Sequence, residues 1–167
     1  MTNIRYIRPL SFYRTLNLQY FEFADGIRTI GKNAFFFSQN SSAEVTNLTS
    51  SVIAGTIRKL EEGAFRRAFA PTVTSIEIGP EVADIGKNAF GVYADISSIA
   101  NVSIGSQDSP SKLSLTSNAS YYPIMNFDTD VVNIQFYTVN SNYNVGSSYI
   151  YNNFAGSGVN VETPLLN

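Results

Sequence analysis

Two glutamates open the question of chemistry. Glu22 stands in Phe-Glu-Phe and Glu77 in Ile-Glu-Ile, and a pair of carboxylates is the equipment of a glycoside hydrolase, one acting as acid and the other as base or nucleophile. A second acidic pair, Asp128-Thr-Asp130, offers the alternating oxygens that a hard cation such as calcium takes. Arg58, Lys59, Arg66 and Arg67 form a basic cluster interleaved with Phe65 and Phe69, a combination used by nucleic-acid binders. Each has a plainer reading. Alternation around a glutamate is what a strand with one buried face shows. Two aspartates in a polar stretch are common, and Glu61 and Glu62 sit beside the cations as ready partners.

The rest of the composition favours the plainer readings. The 167 residues contain no His and no Cys, which removes the commonest general base, the commonest transition-metal ligand and all thiolate chemistry. Charged residues make up only 14% and the net charge is -2, so the surface is neutral-polar and exerts no general pull on phosphate backbones or anionic lipid. No apolar run has the roughly 20 residues of a membrane span or the roughly 7 to 15 of a signal-peptide core. We therefore expect no catalytic, cofactor-binding or metal-binding residues, no enzyme, no nucleic-acid partner and no membrane insertion.

What the chain does contain is repetition. IGKNAF occurs at 30–35 and again at 85–90. Extended toward the N-terminus, FEFADGIRTIGKNAF (21–35) lies over IEIGPEVADIGKNAF (76–90) without a gap, and SVIAGTIRKLEEGAF (51–65) fits the same frame. Five apolar positions coincide: Phe23, Ile53 and Ile78; Ile27, Ile57 and Val82; Ile30, Leu60 and Ile85; Ala34, Ala64 and Ala89; Phe35, Phe65 and Phe90. Each unit begins as an alternating strand, turns at Asp25-Gly26 or Gly79-Pro80, and runs through a second short extended segment. Asn33, Gly63 and Asn88 then suit a helix N-cap, predicting a short helical turn over the Ala-Phe that follows. Glu22 and Glu77 are equivalent outward positions on different coils, with Val52 between them in the row, which argues against a reaction centre.

A fourth, degenerate unit begins at Val102-Ser103-Ile104, and the polar stretch 38–50 reads as a loop leaving the stack. Three parts of one structural unit are expected. Residues 1–20, with Ile4, Tyr6, Ile7, Leu10 and Phe12, close the first coil as an N-terminal cap; 21–110 carry the repeats; 111–167 form an Asn/Ser/Tyr-rich β cap. In that last part 132–136 and 148–151 alternate as strands do. Six of the ten tyrosines fall between Tyr121 and Tyr151, a mixture with Asn, Ser and Gly that serves both strands and adaptable binding surfaces.

The pattern apolar-x-apolar, four residues, apolar-x-x-Ile-Gly-x-x-Ala-Phe resembles the BspA-like leucine-rich repeats over about 21–104. Glu61 and Glu62 depart from Gly-Lys in the middle copy, and the family's frequent Cys after the Phe is absent. The fold expected is a β-rich α/β solenoid, a leucine-rich-repeat-like stack of about three to four coils with a parallel sheet along one face. The resemblance implies binding or assembly and brings no catalytic residues. The expected function is a non-enzymatic protein-protein interaction module, a structural subunit of a larger assembly such as a virion or surface appendage, with protein partners, possibly further copies of itself. The alternative is an adhesin-type domain that binds a host protein or glycan. Either role places the protein in a virion or extracellular surface assembly.

Overall fold

The structure, a computed structural model, describes residues 4–15, 18, 20–23, 25–36, 52–53, 56–69, 73–91, 99–115, 125–126, 132–144, 147–155, 159–164 and 166. The expected loop 38–50 and the candidate cation pair Asp128 and Asp130 lie outside them. The elements are β1 (Tyr6–Ile7), β2 (Thr29–Ile30), β3 (Val52–Ile53), β4 (Lys59–Leu60), β5 (Ser75–Ile78), β6 (Asp84–Ile85), β7 (Phe90–Gly91), β8 (Asn101–Ile104), β9 (Met125–Asn126), β10 (Val132–Phe136), α1 (Ser148–Asn153), β11 (Phe154–Ala155) and β12 (Val159–Glu162). They build a parallel β-solenoid of about four turns with little helix. Three sheets run along it, in the orders β1-β2-β4-β6, β12-β10-β8-β5-β3 and β11-β9-β7. One sheet along one face was expected; the chain bends twice per coil at its turns, and each straight stretch between bends finds its own ladder.

The shared apolar positions are what hold the coils in register. Ile7, Ile30, Leu60 and Ile85 are successive partners in the first ladder, and Ile53, Ile78, Ile104 and Phe136 in the second. All are buried and belong to one continuous core. Phe35, Phe65 and Phe90 are fully buried and stack face to face, with centroids 5.2 Å apart for the first pair and 5.7 Å for the second. Phe12 extends the column at 4.9 Å from Phe35. Burial of a phenylalanine stabilises by roughly 1.5–3 kcal/mol, and stacked rings add to it.

Three local expectations need correcting. Asn33, Gly63 and Asn88 are not helix N-caps but left-handed residues, with φ of 52°, 65° and 50°. The left-handed residue turns its own N–H out of the coil and onto the next one: Asn33 N–H donates to Glu62 O at 3.0 Å and Gly63 N–H to Lys87 O at 3.0 Å. The Phe two positions on does the same, Phe35 to Ala64 O at 2.9 Å and Phe65 to Ala89 O at 2.8 Å. A helical turn would have spent those donors within its own coil; Asn and Gly are there because they tolerate positive φ. Residues 148–151, expected as strand, start α1, whose Ser147 N-cap accepts the Ile150 N–H at 3.4 Å. Phe21 and Phe23, also expected in a strand, pair with none among the described residues; they lean edge-on against Phe35 instead.

Close approach of the coils explains the glycine of the hexapeptide. A Cβ on Gly31 would lie 2.5 Å from Pro9 N, and one on Gly86 would lie 2.5 Å from Glu62 N. Both contacts are with the backbone of the preceding coil, so neither can be relieved by a rotamer change.

The ladder also passes through both flanks. β1 pairs with β2, and Leu10, Phe12 and Arg14 donate their N–H groups to Lys32, Ala34 and Phe36 as the later turns do. Beyond β8 the sheet continues into β10 and β12. Residues 112–115 follow β6 at the edge of the first sheet, Ser114 N–H donating to Ala83 O at 3.1 Å.

Candidate interaction face

Alternation along the second ladder sends every other side chain outward. The register aligns Ser75, Asn101, Asn133 and Asn160 in one row and Glu77, Ser103, Gln135 and Glu162 in the next. Neighbours in a row are about 4.8 Å apart, close enough for direct side-chain contact, and Asn160 Nδ2 donates to Asn133 Oδ1 at 3.4 Å. Tyr137 adds a hydroxyl at the border, donating to Gln135 Oε1 at 3.0 Å. The rows flank a shallow concavity of about 430 Å³ lined by Ser75, Glu77, Asn101, Ser103, Asn133 and Glu162 among others. Amides and hydroxyls of this kind both donate and accept, so the face suits polar, neutral partners. The two carboxylates stand at opposite ends of the Glu77 row, three rungs or about 14 Å apart, beyond the separation that glycoside hydrolysis uses.

The other residues singled out from the sequence go elsewhere. Glu22 is exposed, outside any described strand. The basic cluster disperses into separate contacts: Lys59 Nζ pairs with Asp84 at 3.0 Å and the Arg66 guanidinium lies 5.3 Å over the Phe36 ring. Phe65 and Phe69 are core, their rings 5.8 Å apart. Glu61 and Glu62, expected to neutralise the nearby cations, also serve the preceding coil, and Arg66 of the cluster contributes to stabilising the Glu62 carboxylate. Glu61 accepts the Lys32 N–H at 2.9 Å and the Tyr6 hydroxyl at 3.4 Å. Glu62 pairs with Lys32 Nζ at 2.8 Å, and that hydrogen bond holds its carboxyl below the ordinary range. The Glu-Glu departure in the middle copy therefore supplies an acceptor to a turn N–H of the preceding coil.

The tyrosines divide. Tyr143 is buried against Phe136, centroids 5.8 Å apart, and its oxygen accepts the Leu115 N–H at 3.0 Å. Tyr149 packs on Tyr143 at 5.2 Å, while Tyr137 borders the polar face. Tyr121 and Tyr122 lie outside the described residues, as does the side chain of Tyr151. Among the described residues no group of three or more acidic side chains could hold a metal ion, and no helix is long and apolar enough to cross a membrane.

The face was missed in the sequence because its members come from strands separated by loops of unequal length. The signal was the polar partner in Val132-Asn-Ile-Gln-Phe136 and Val159-Asn-Val-Glu162; only the register places these residues beside Ser75 and Glu77.

A parallel ladder with a buried aromatic column and a polar outer face defines a leucine-rich-repeat-type scaffold. A family model of the BspA type leucine rich repeat region matches in six copies, over residues 1–101 and 41–157. The chain belongs to the BspA-type leucine-rich repeat family. No curated protein and no solved structure matches it.

Proposed function

We propose that the protein is a non-enzymatic interaction module whose outward sheet face contacts a protein partner, and that it serves as a structural subunit of a larger assembly such as a virion or surface appendage. The observation that carries this reading is the aligned double row of Asn, Ser, Gln and Glu on a rigid five-stranded sheet. The backbone register sets the spacing of these hydrogen-bonding groups, most of them neutral, before binding, which lowers the entropic cost a partner meets. Family membership supports a protein-interaction role in general.

The test uses the whole chain, immobilised, with a double variant that places charge and bulk in the centre of the face, Asn133→Arg with Gln135→Arg. Components of the source's own surface or particle fraction bound by the wild type and released by the variant support the reading; an identical bound set refutes it. The amide row also suits the hydroxyls of a sugar, which favours the adhesin alternative as a second reading. Binding to a glycan array that is abolished in the same variant would move the assignment there.

A further inference from the structure

The outward side of the first sheet carries charge that the polar face of the second does not. Its register aligns Tyr6, Thr29, Lys59 and Asp84. The residues one position earlier, Arg5, Arg28, Arg58 and Ala83, form a row of their own. Arg28 N–H donates to Arg5 O at 2.8 Å, Arg58 N–H to Arg28 O at 2.9 Å and Ala83 N–H to Arg58 O at 2.8 Å. Strict alternation from the buried Ile30 and Leu60 would send Arg28 and Arg58 inward. Instead the N–H groups of Arg28 and Thr29 share the Arg5 carbonyl, those of Arg58 and Lys59 share the Arg28 carbonyl, and all three arginines are exposed. Three guanidinium side chains thus leave the backbone on adjacent rungs, about 4.8 Å apart.

The carboxylates beside this column are engaged by other groups. Glu81 pairs with Lys112, Asp84 with Lys59 and Glu62 with Lys32, while Glu61 accepts the Lys32 N–H and the Tyr6 hydroxyl. The hydrogen bond from Lys112, aided by the charges of Arg58 and Arg28, holds the Glu81 carboxyl below its ordinary range. Asp25, exposed in the turn before β2, joins no ion pair among the described residues, and neither do Arg5, Arg28 and Arg58. Arg28 Nη1 donates to Thr56 O at 2.9 Å, which fixes one arm of its fork and leaves further donors facing outward. Like charges stacked on neighbouring rungs destabilise one another, and a bound anion removes that repulsion.

We propose that the arginine column Arg5, Arg28 and Arg58 binds a short acidic segment of a partner polypeptide, each guanidinium fork gripping a carboxylate through two hydrogen bonds. The planar fork matches a carboxylate in just this way. The column spans about 10 Å from first rung to last, and an extended chain with acids at alternate positions presents a carboxylate about every 6.7 Å. Two or three carboxylates therefore cover it. A dense polyanion fits less well: duplex DNA carries a charge about every 1.7 Å of its axis, so it would run past the column and meet Glu61, Glu62, Glu81 and Asp84, on a chain whose net charge is -2. The site lies on the first sheet and stands independently of the function proposed for the polar face.

Fluorescence anisotropy tests it, with the whole chain titrated onto a labelled peptide of about ten residues carrying Glu at alternate positions, beside the same peptide with Gln in place of Glu. The expected result is binding of the Glu peptide alone, weakening as salt rises. Arg5→Gln with Arg58→Gln removes two side chains that form no ion pair among the described residues, so the thermal midpoint should stay unchanged while affinity falls by about tenfold or more. Arg14→Gln removes a cation that lies over the Tyr13 ring, outside the column, and should change affinity by less than about twofold. A Glu peptide that fails to bind at low salt overturns the proposal. So does a loss in Arg14→Gln equal to that in Arg58→Gln alone, which would mark general charge attraction. Heparin or duplex DNA bound more tightly than the Glu peptide, and released by the same double variant, would assign the column to a dense polyanion and overturn the acidic segment as its occupant.

Discussion

Phe65→Ala probes the column that joins the coils. Phe65 is fully buried and stacks between Phe35 at 5.2 Å and Phe90 at 5.7 Å, with Phe69 at 5.8 Å and Phe23 at 5.9 Å around it. Removing the ring leaves a cavity walled by neighbouring coils, and backbone hydrogen bonds on both sides of the turn keep those coils from collapsing into it. The cost should fall at the upper part of the 3–5 kcal/mol seen for buried aromatics. For a chain of this length each kcal/mol lowers the midpoint by about 2–4 °C, so thermal unfolding followed by circular dichroism should show a drop of roughly 8–20 °C. Phe12→Ala, at the half-buried end of the same column, should cost clearly less. Glu77→Ala, on the exposed face, should stay within about 0.5 kcal/mol. If Phe65→Ala matches Glu77→Ala, the column does not hold the coils together. If it matches Phe12→Ala, stability is not transmitted between neighbouring coils as a solenoid requires.

Two further outcomes follow from the turns. Gly86→Ala drives a Cβ into the Glu62 backbone and should cost about 1–3 kcal/mol by urea denaturation; a neutral effect would mean the coils have slack at that contact. The hydrogen bond from Lys32 lowers the Glu62 pKa in the folded state, so its contribution is present above the ordinary glutamate value of about 4.3 and is lost as pH falls through the lowered folded value. Both side chains are about half exposed, which limits the pair to about 0.2–1 kcal/mol. The stability difference between wild type and Glu62→Gln should therefore be small at pH 7 and shrink as the pH falls below the ordinary glutamate value; a gap that does not shrink in acid would show that another contact of Glu62 is responsible.

The interior was legible in the sequence because every coil reuses the same apolar positions. Three copies were enough to assign Ile30, Leu60 and Ile85 inward and Glu77 outward. The turns were misread for a specific reason: Asn and Gly serve both helix caps and left-handed bends, and nothing in one coil says that its N–H groups will be consumed by the next. The first coil stayed hidden because Ile7-Arg-Pro-Leu-Ser-Phe12 replaces four of the six letters of the hexapeptide while keeping Ile and Phe. In α1, the alternation of Ser148-Tyr-Ile-Tyr151 has the period of a strand, yet six residues are too few to distinguish that from one helical turn and a half. The polar face required registration across loops, which no local pattern carries.

The intervals between the partnered residues Ile7, Ile30, Leu60 and Ile85 are 23, 30 and 25 residues, yet all four align without a bulge. The register of the rungs is therefore independent of the length of chain between them. Such a frame can acquire, lose or exchange an insertion between rungs while its spine keeps the same pitch. New specificity can thus be grafted between two rungs at little structural risk, which is a physical reason for this architecture to diversify by insertion as readily as by substitution.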